Sequence, residues 1–186
     1  MYKRQTLEWG TGTGIPHYLK NTTLLVGHST APSGVASLNV AVGETALDSL
    51  TTGGKNIAVG YNAGTAVTEG AGNVLIGNDA GKVITTGRDH IAIGRATLAT
   101  EDTSTSASIA IGAEVLHVQD GGEFNVGVGS ICLRNVTSGD YNIGIGAYAG
   151  NALTTGNNNI AIGFEALDAE DEDSNNTAVG LSLIHI

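Results

Sequence analysis

The chain has 186 residues, of which 28 are glycine, 2 are proline and 4% are aromatic, and 18 acidic against 8 basic side chains give a formal net charge of −10. That acidic balance argues against binding naked nucleic acid or inserting at an anionic membrane surface, since both need clustered Lys and Arg. Glycine at about twice its usual share, with a hydrophobic content of 41% carried by Ala, Val, Ile and Leu, allows a core that is thin and regular.

In chain order, Met1-Tyr2-Lys3-Arg4-Gln5 and Leu181-Ser182-Leu183-Ile184-His185-Ile186 back-translate to opposite strands of one transposase end sequence used in shotgun libraries. Residues 1–5 and 181–186 are therefore read as adapter-derived and set aside from fold reasoning. Residues 6–22 contain Trp9 and Tyr18, follow no repeat, and are expected to form a cap or junction. Residues 23–38 begin with Thr23 to Gly27, a degenerate first copy of the phrase that follows.

That phrase fills residues 39–180. It starts at Asn39, Asn56, Asn73, His90, Ser108, Asn125, Asn142, Asn159 and Asn176, with every step 17 residues except the 18 after His90. A unit this short cannot bury enough surface alone, so the repetition predicts an all-β parallel β-solenoid of 17-residue coils.

Inside the phrase, aliphatic residues alternate with small ones, as in Ile57-Ala58-Val59 or Ile160-Ala161-Ile162. This is the period of a strand; a helix would place the two aliphatics about 200° apart. The sequence reading puts the Ile and Val side chains inside the coil. It leaves Ala41, Ala58, Ala92, Ala110, Gly127, Gly144 and Ala161 as an outward column of small residues against which a neighbouring chain would pack.

The fifth place is always glycine: Gly43, Gly60, Gly77, Gly94, Gly112, Gly129, Gly146, Gly163 and Gly180. Such a column fits a corner with positive φ or close approach of successive coils. A small-plus-Leu or small-plus-Gly pair follows, such as Ala46-Leu47 or Ala63-Gly64, and reads as a second short strand or a tight arc. A Thr-x-Gly turn, as in Thr51-Thr52-Gly53, closes the coil. Nine coils at about 4.8 Å would build a rod about 43 Å long. Asn39, Asn56, Asn73, Asn125, Asn142, Asn159 and Asn176 would stack as an amide ladder along it.

Departures from the phrase carry little chemistry. Cys132 occupies the small-residue slot and reads as a core side chain. Thr100 to Ser106 reads as an expanded display loop. The acidic run Asp168 to Asp173 reads as a solvated loop, with calcium binding as the alternative. His17, His28, His90 and His117 share no ligand spacing, Ser130 lacks a nucleophile-elbow pattern, and the many carboxylates have no aromatic platform nearby for a sugar ring. No enzyme activity, cofactor or metal is expected.

The wording Asn-Ile-Ala-Ile-Gly-x-x-Ala, at Asn159 to Ala166 and with Val in place of the second Ile at Asn56 to Ala63, resembles the head repeat of YadA-like trimeric autotransporter adhesins. The longer Thr154 to Gly163 string is similar to repeats of bacteriophage tail-fibre and neck-appendage proteins. This resemblance covers Asn39 to Gly180 and implies a left-handed β-roll with three identical chains side by side. It further implies an extracellular shaft or head segment of a virion tail fibre that supports attachment to a host-cell receptor of unknown type. The alternative that it implies is the head of a bacterial adhesin on the outer surface.

Overall fold

The computed structural model describes residues 17–20, 23–26, 38–100, 107–169 and 172–182. The adapter reading of 1–5, most of the 6–22 segment, the 101–106 loop and parts of the acidic run and C-terminal hexapeptide lie outside these residues.

The fold is an all-β parallel solenoid with no helix among the described residues. Strands β1 (His17–Lys20) and β2 (Thr23–Val26) form an antiparallel hairpin. Strand β2 pairs in parallel with β3 (Val40–Val42), Leu25 opposite Ala41. From there one strand per coil is added in sequence order: β4 (Ile57–Val59), β5 (Val74–Ile76), β6 (Ile91–Ile93), β7 (Ile109–Ile111), β8 (Val126–Val128), β9 (Ile143–Ile145), β10 (Ile160–Ile162) and β11 (Thr177–Val179). Equivalent residues pair throughout, even across the 18-residue step, where Ile91, Ala92 and Ile93 face Ile109, Ala110 and Ile111.

From β3 onward each strand is three residues long because the fifth-place glycine ends it. At Gly60, φ is +138° and a Cβ would lie 2.4 Å from the carbonyl oxygen of Gly77, so both backbone conformation and stacking exclude a side chain. The rest of the coil is a tight arc rather than a second strand. Left-handed residues recur in it: in the Asn159 coil, Asn158, Glu165 and Leu167 have φ of 58°, 54° and 51°. Such a conformation costs a non-glycine residue about 1–2 kcal/mol. Bonds between successive arcs help offset that cost, as from Leu47 N–H to Ala63 C=O at 3.0 Å and from Gly64 N–H to Ala80 C=O at 2.9 Å.

The core corrects the expected facing of the strands. Ala41, Ala58, Ala92, Ala110 and Ala161 are fully buried inside their own coil, and Gly127 and Gly144 are buried with them. They cannot be the face that meets a neighbouring chain. The reason is volume: the arc and turn already send Leu47, Leu50, Val67, Ile84, Leu116 and Leu153 into the interior. A coil this narrow has room for only a methyl group or a hydrogen on the strand side. The Val and Ile side chains consequently point outward, and each strand shows its middle residue buried between two more exposed ones.

Exceptions to the small column are matched by their neighbours. Leu75 stands where other coils have Ala or Gly, and it is fully buried. The ninth place of its own coil and of the one before it is glycine: a Cβ on Gly64 or on Gly81 would lie 2.6 Å from a Leu75 methyl carbon. Conversely, a Cβ on Gly144 would lie 2.5 Å from the Cys132 sulfur and 2.7 Å from Leu133 Cγ. Core volume is therefore conserved between coils, not slot by slot.

Candidate functional site: an outward aliphatic face

The asparagines at the phrase start are buried from Asn39 to Asn159, with Asn176 of the last coil half-buried, and the buried amides do two jobs. Asn39 Oδ1 accepts both the backbone N–H of Asn56 at 2.8 Å and its Nδ2 at 3.0 Å, while Asn56 Nδ2 also donates to Gly70 C=O at 2.8 Å. Asn73 repeats all three contacts with Asn56 and Gly87. Higher up, Asn142 N–H donates to Asn125 Oδ1, Asn159 N–H to Asn142 Oδ1, and Asn176 N–H to Asn159 Oδ1. Each amide up to Asn159 thus ties one coil to the next and the coil's start to its closing turn, whereas the Asn176 Nδ2 in the last coil has no partner among the described residues. Asn suits the slot because one short side chain both accepts and donates.

Two coils lack the Asn, and the ladder continues through substitutes. His90 N–H donates to Asn73 Oδ1, and His90 Nδ1 accepts the Ser108 N–H at 3.2 Å, which requires an unprotonated Nδ1. Above it, Gln119 reaches in from the turn: its Nε2 donates to Ser108 Oγ at 3.1 Å and to Gly122 C=O, and its Oε1 accepts from Asn125 Nδ2 at 3.4 Å. The role of Gln119 carries no repeat signature, so sequence reading missed it.

With the ladder and core turned inward, the outward side of the sheet presents a chemically uniform, aliphatic surface. Two aliphatic columns run along it, one through Val40, Ile57, Val74 and Ile91, the other through Val42, Val59, Ile76 and Ile93. The second continues to Val179 in β11, which is 63% exposed, while the first runs to Ile160 and ends at Thr177; Ile57 and Ile145 are about two-fifths exposed. Nine strands spaced about 4.8 Å apart, each about 10 Å long, make a strip on the order of 400 Å².

Residues just before the Asn and just after the Gly border this strip. In the C-terminal half both borders are aromatic. Phe124 and Tyr141, one coil apart, stack with ring centroids 5.2 Å apart and planes 12° from parallel. On the other border Phe164 meets Tyr148 edge to face at 6.1 Å. All four are exposed. The aromatic pairings were hidden in the sequence because their members are 17 and 16 residues apart.

Beyond the aromatic stretch the second border is charged. Glu114 accepts from Arg95 Nη2 at 2.6 Å and from Arg134 Nε at 3.1 Å, and these hydrogen bonds, Arg95 first, hold its carboxyl below the ordinary range. Cys132 is buried, and burial pushes its thiol up to about 12. Of the four histidines noted in the sequence, His90 lies in the ladder and His117 Nδ1 contacts Ala96 C=O at 2.9 Å. No cluster of three or more His, Cys, Asp or Glu side chains suited to a metal occurs among the described residues. No described helix is long and apolar enough to cross a membrane.

Fold and surface together define a class: a slim, single-sheet β-solenoid rod with an uncovered aliphatic face. Comparison with known proteins adds no name, since no family model, curated protein or solved structure matches the chain.

Proposed function

We propose that this chain is a structural segment, shaft or head, of a trimeric viral tail fibre that supports attachment to a host cell. The observation that carries the proposal is the outward aliphatic face. The strip with both borders is about 20 Å wide and about 40 Å tall, roughly 800 Å², which equals one partner's share of a standard protein interface. Its aliphatic strip alone, about 400 Å², matches in size the largest apolar patch of a typical monomer, about 300–600 Å² and often functional. A long, narrow and regular face is best covered by other rods of the same length, and three copies of this chain would enclose the three faces around one axis. In this reading the β-roll is left-handed, as the repeat resemblance implies, and the assembly is extracellular and part of a virion. It holds no cofactor, has no catalytic role and contacts a cell-surface receptor of unknown type.

Light scattering on the purified chain tests the assembly. The expected mass is three times the 18.8 kDa of one chain, reduced by Ile145→Glu, which puts a carboxylate within the face. A folded monomer would overturn the proposal. Immunogold labelling of the source sample with antibodies to the chain tests the location: gold on tail fibres is expected, and gold confined to bacterial outer surfaces would replace the fibre with an adhesin.

A further inference from the structure

We infer that the boundary between the β6 and β7 coils is an acid-sensitive seam, which loosens when His90 takes up a proton. Along the buried ladder the N–H of each phrase start is accepted by a side chain of the coil below. At six levels that acceptor is an asparagine amide oxygen, and at one it is the Ser108 hydroxyl. Neither group titrates near neutral pH. The remaining acceptor is His90 Nδ1, which takes the Ser108 N–H at 3.2 Å. Histidine is the side chain whose ordinary titration falls between about pH 5 and 8.

A proton on Nδ1 turns this acceptor into a donor, so that two N–H groups point at one another. The ring has no solvent to turn to, because His90 is 0% exposed, and the imidazolium charge would be held in the interior. The described groups packed round the ring are neutral. Asn73 lies below, and Ser108 lies above with the Gln119 amide on its hydroxyl. Gly87, in the closing turn of the coil below, comes so near that a Cβ on it would lie 2.8 Å from Nε2. Of the charged residues on the flanking segments, Arg88, Asp89 and Asp120 are exposed, and Glu123 is half-buried with its N–H on Asp140 Oδ1. Glu101 and Asp102, later in the His90 coil, lie outside the described residues. Geometry marks the same boundary independently. The ladder contacts into and out of Ser108, at 3.2 and 3.3 Å, are the longest, against 2.8–3.0 Å at the other levels. The Ile91 N–H to Ser108 C=O bond is 3.0 Å, where the equivalent bond at Ile57 or Ile143 is 2.8 Å.

An opened ring binds its proton near the ordinary value of about 6.5, whereas the closed ladder takes one only by losing the Ser108 bond. The seam is therefore at full strength above about pH 7.5 and weakens as pH falls through about 6.5. With the closed ring neutral, opening becomes about tenfold more frequent between about pH 7.5 and 5.5. Amide hydrogen exchange of the whole chain at those two pH values, corrected for intrinsic rates, reads this coil by coil. Protection at Ile91 and Ser108 is expected to fall about tenfold relative to Ile57 and Ile143. His90→Asn, which installs the amide that seven other phrase starts carry, is expected to abolish that difference. An equal loss at every coil, no loss at the seam, or a loss that persists in His90→Asn overturns the inference. Nitrogen NMR shifts of the His90 ring in the wild-type chain give a reading that needs no variant. A neutral ring with unprotonated Nδ1 is expected at about pH 5.5; a charged ring in a chain that still protects Ser108 overturns the inference.

Discussion

Replacing Leu75 by alanine tests the idea that core volume is shared between coils. Leu75 is fully buried, and Leu→Ala at such sites costs about 2.7–5 kcal/mol, more when the surroundings cannot collapse. Here its two methyl groups lie against Gly64 and Gly81, which have no side chains to move into the void. The expected loss is therefore about 4–5 kcal/mol, at the upper end, a large part of a domain's usual 5–15 kcal/mol. In urea unfolding followed by far-UV circular dichroism, a slope near 2 kcal/mol per molar turns that loss into a midpoint lower by about 2 M. The companion Gly81→Leu should destabilise on its own, because its Cβ meets Leu75 Cδ2 at 2.6 Å. Combined with Leu75→Ala it should recover about 2 kcal/mol or more, since Leu98, Leu116 and Leu133 hold the same slot with φ of 46–49°. A loss below about 1 kcal/mol for Leu75→Ala, or strict additivity in the double variant, would refute the shared-volume account.

Three further outcomes are expected. Asn142→Ala leaves the Asn159 N–H and the Gly156 C=O without their partner, at about 1–3 kcal/mol each, measured by the same urea titration; Asn142→Asp should cost at least as much at neutral pH, because it sets a buried carboxylate oxygen against the Gly156 carbonyl. Gly112→Ala adds a Cβ that overlaps the Gly129 carbonyl oxygen at a φ of +131°, so soluble folded yield should fall and the midpoint should drop by about 3 kcal/mol or more. Cys132 should resist a thiol reagent at pH 8 in the folded chain and react in step with unfolding. Because the folded state holds this thiol proton up to about 12 against an ordinary 9.0, the stability linked to it is present below pH 9 and is lost as pH rises from 9 toward 12; Cys132→Ala should flatten that decline.

Periodicity made much of the fold legible before any coordinates. The invariant glycine at the fifth place dictated a corner, and the buried amides of Asn56 and Asn142 occupy the slot in which sequence alone places a ladder. Which strand face turns inward was not legible, since alternation in Ile57-Ala58-Val59 defines two faces and says nothing of which one is inside. Bulk suggested the Ile and Val, yet the interior is a sum over the whole coil. Leu47, Leu50 and their equivalents from the arc use up that space, so Ala58 goes in and Ile57 stays out. The Phe124 and Tyr141 stack was readable only by overlaying coils, and the Gln119 repair only from three dimensions, because it leaves the turn to complete the ladder position of Ser108, eleven residues earlier in the same coil.

The 18-residue step deserves a mechanical reading. One residue more than the usual coil passes between β6 and β7, yet Ile91 still faces Ile109 and the chain of buried polar contacts continues through His90, Ser108 and Gln119. Axial advance is thus set by strand pairing, about 4.8 Å per coil, and is indifferent to one residue more in the chain between two strands. A gene built on this plan can change rod length in fixed increments by duplicating or deleting single phrases. It can separately lengthen individual arcs without shifting any coil above or below them, so reach and surface decoration are free to evolve independently.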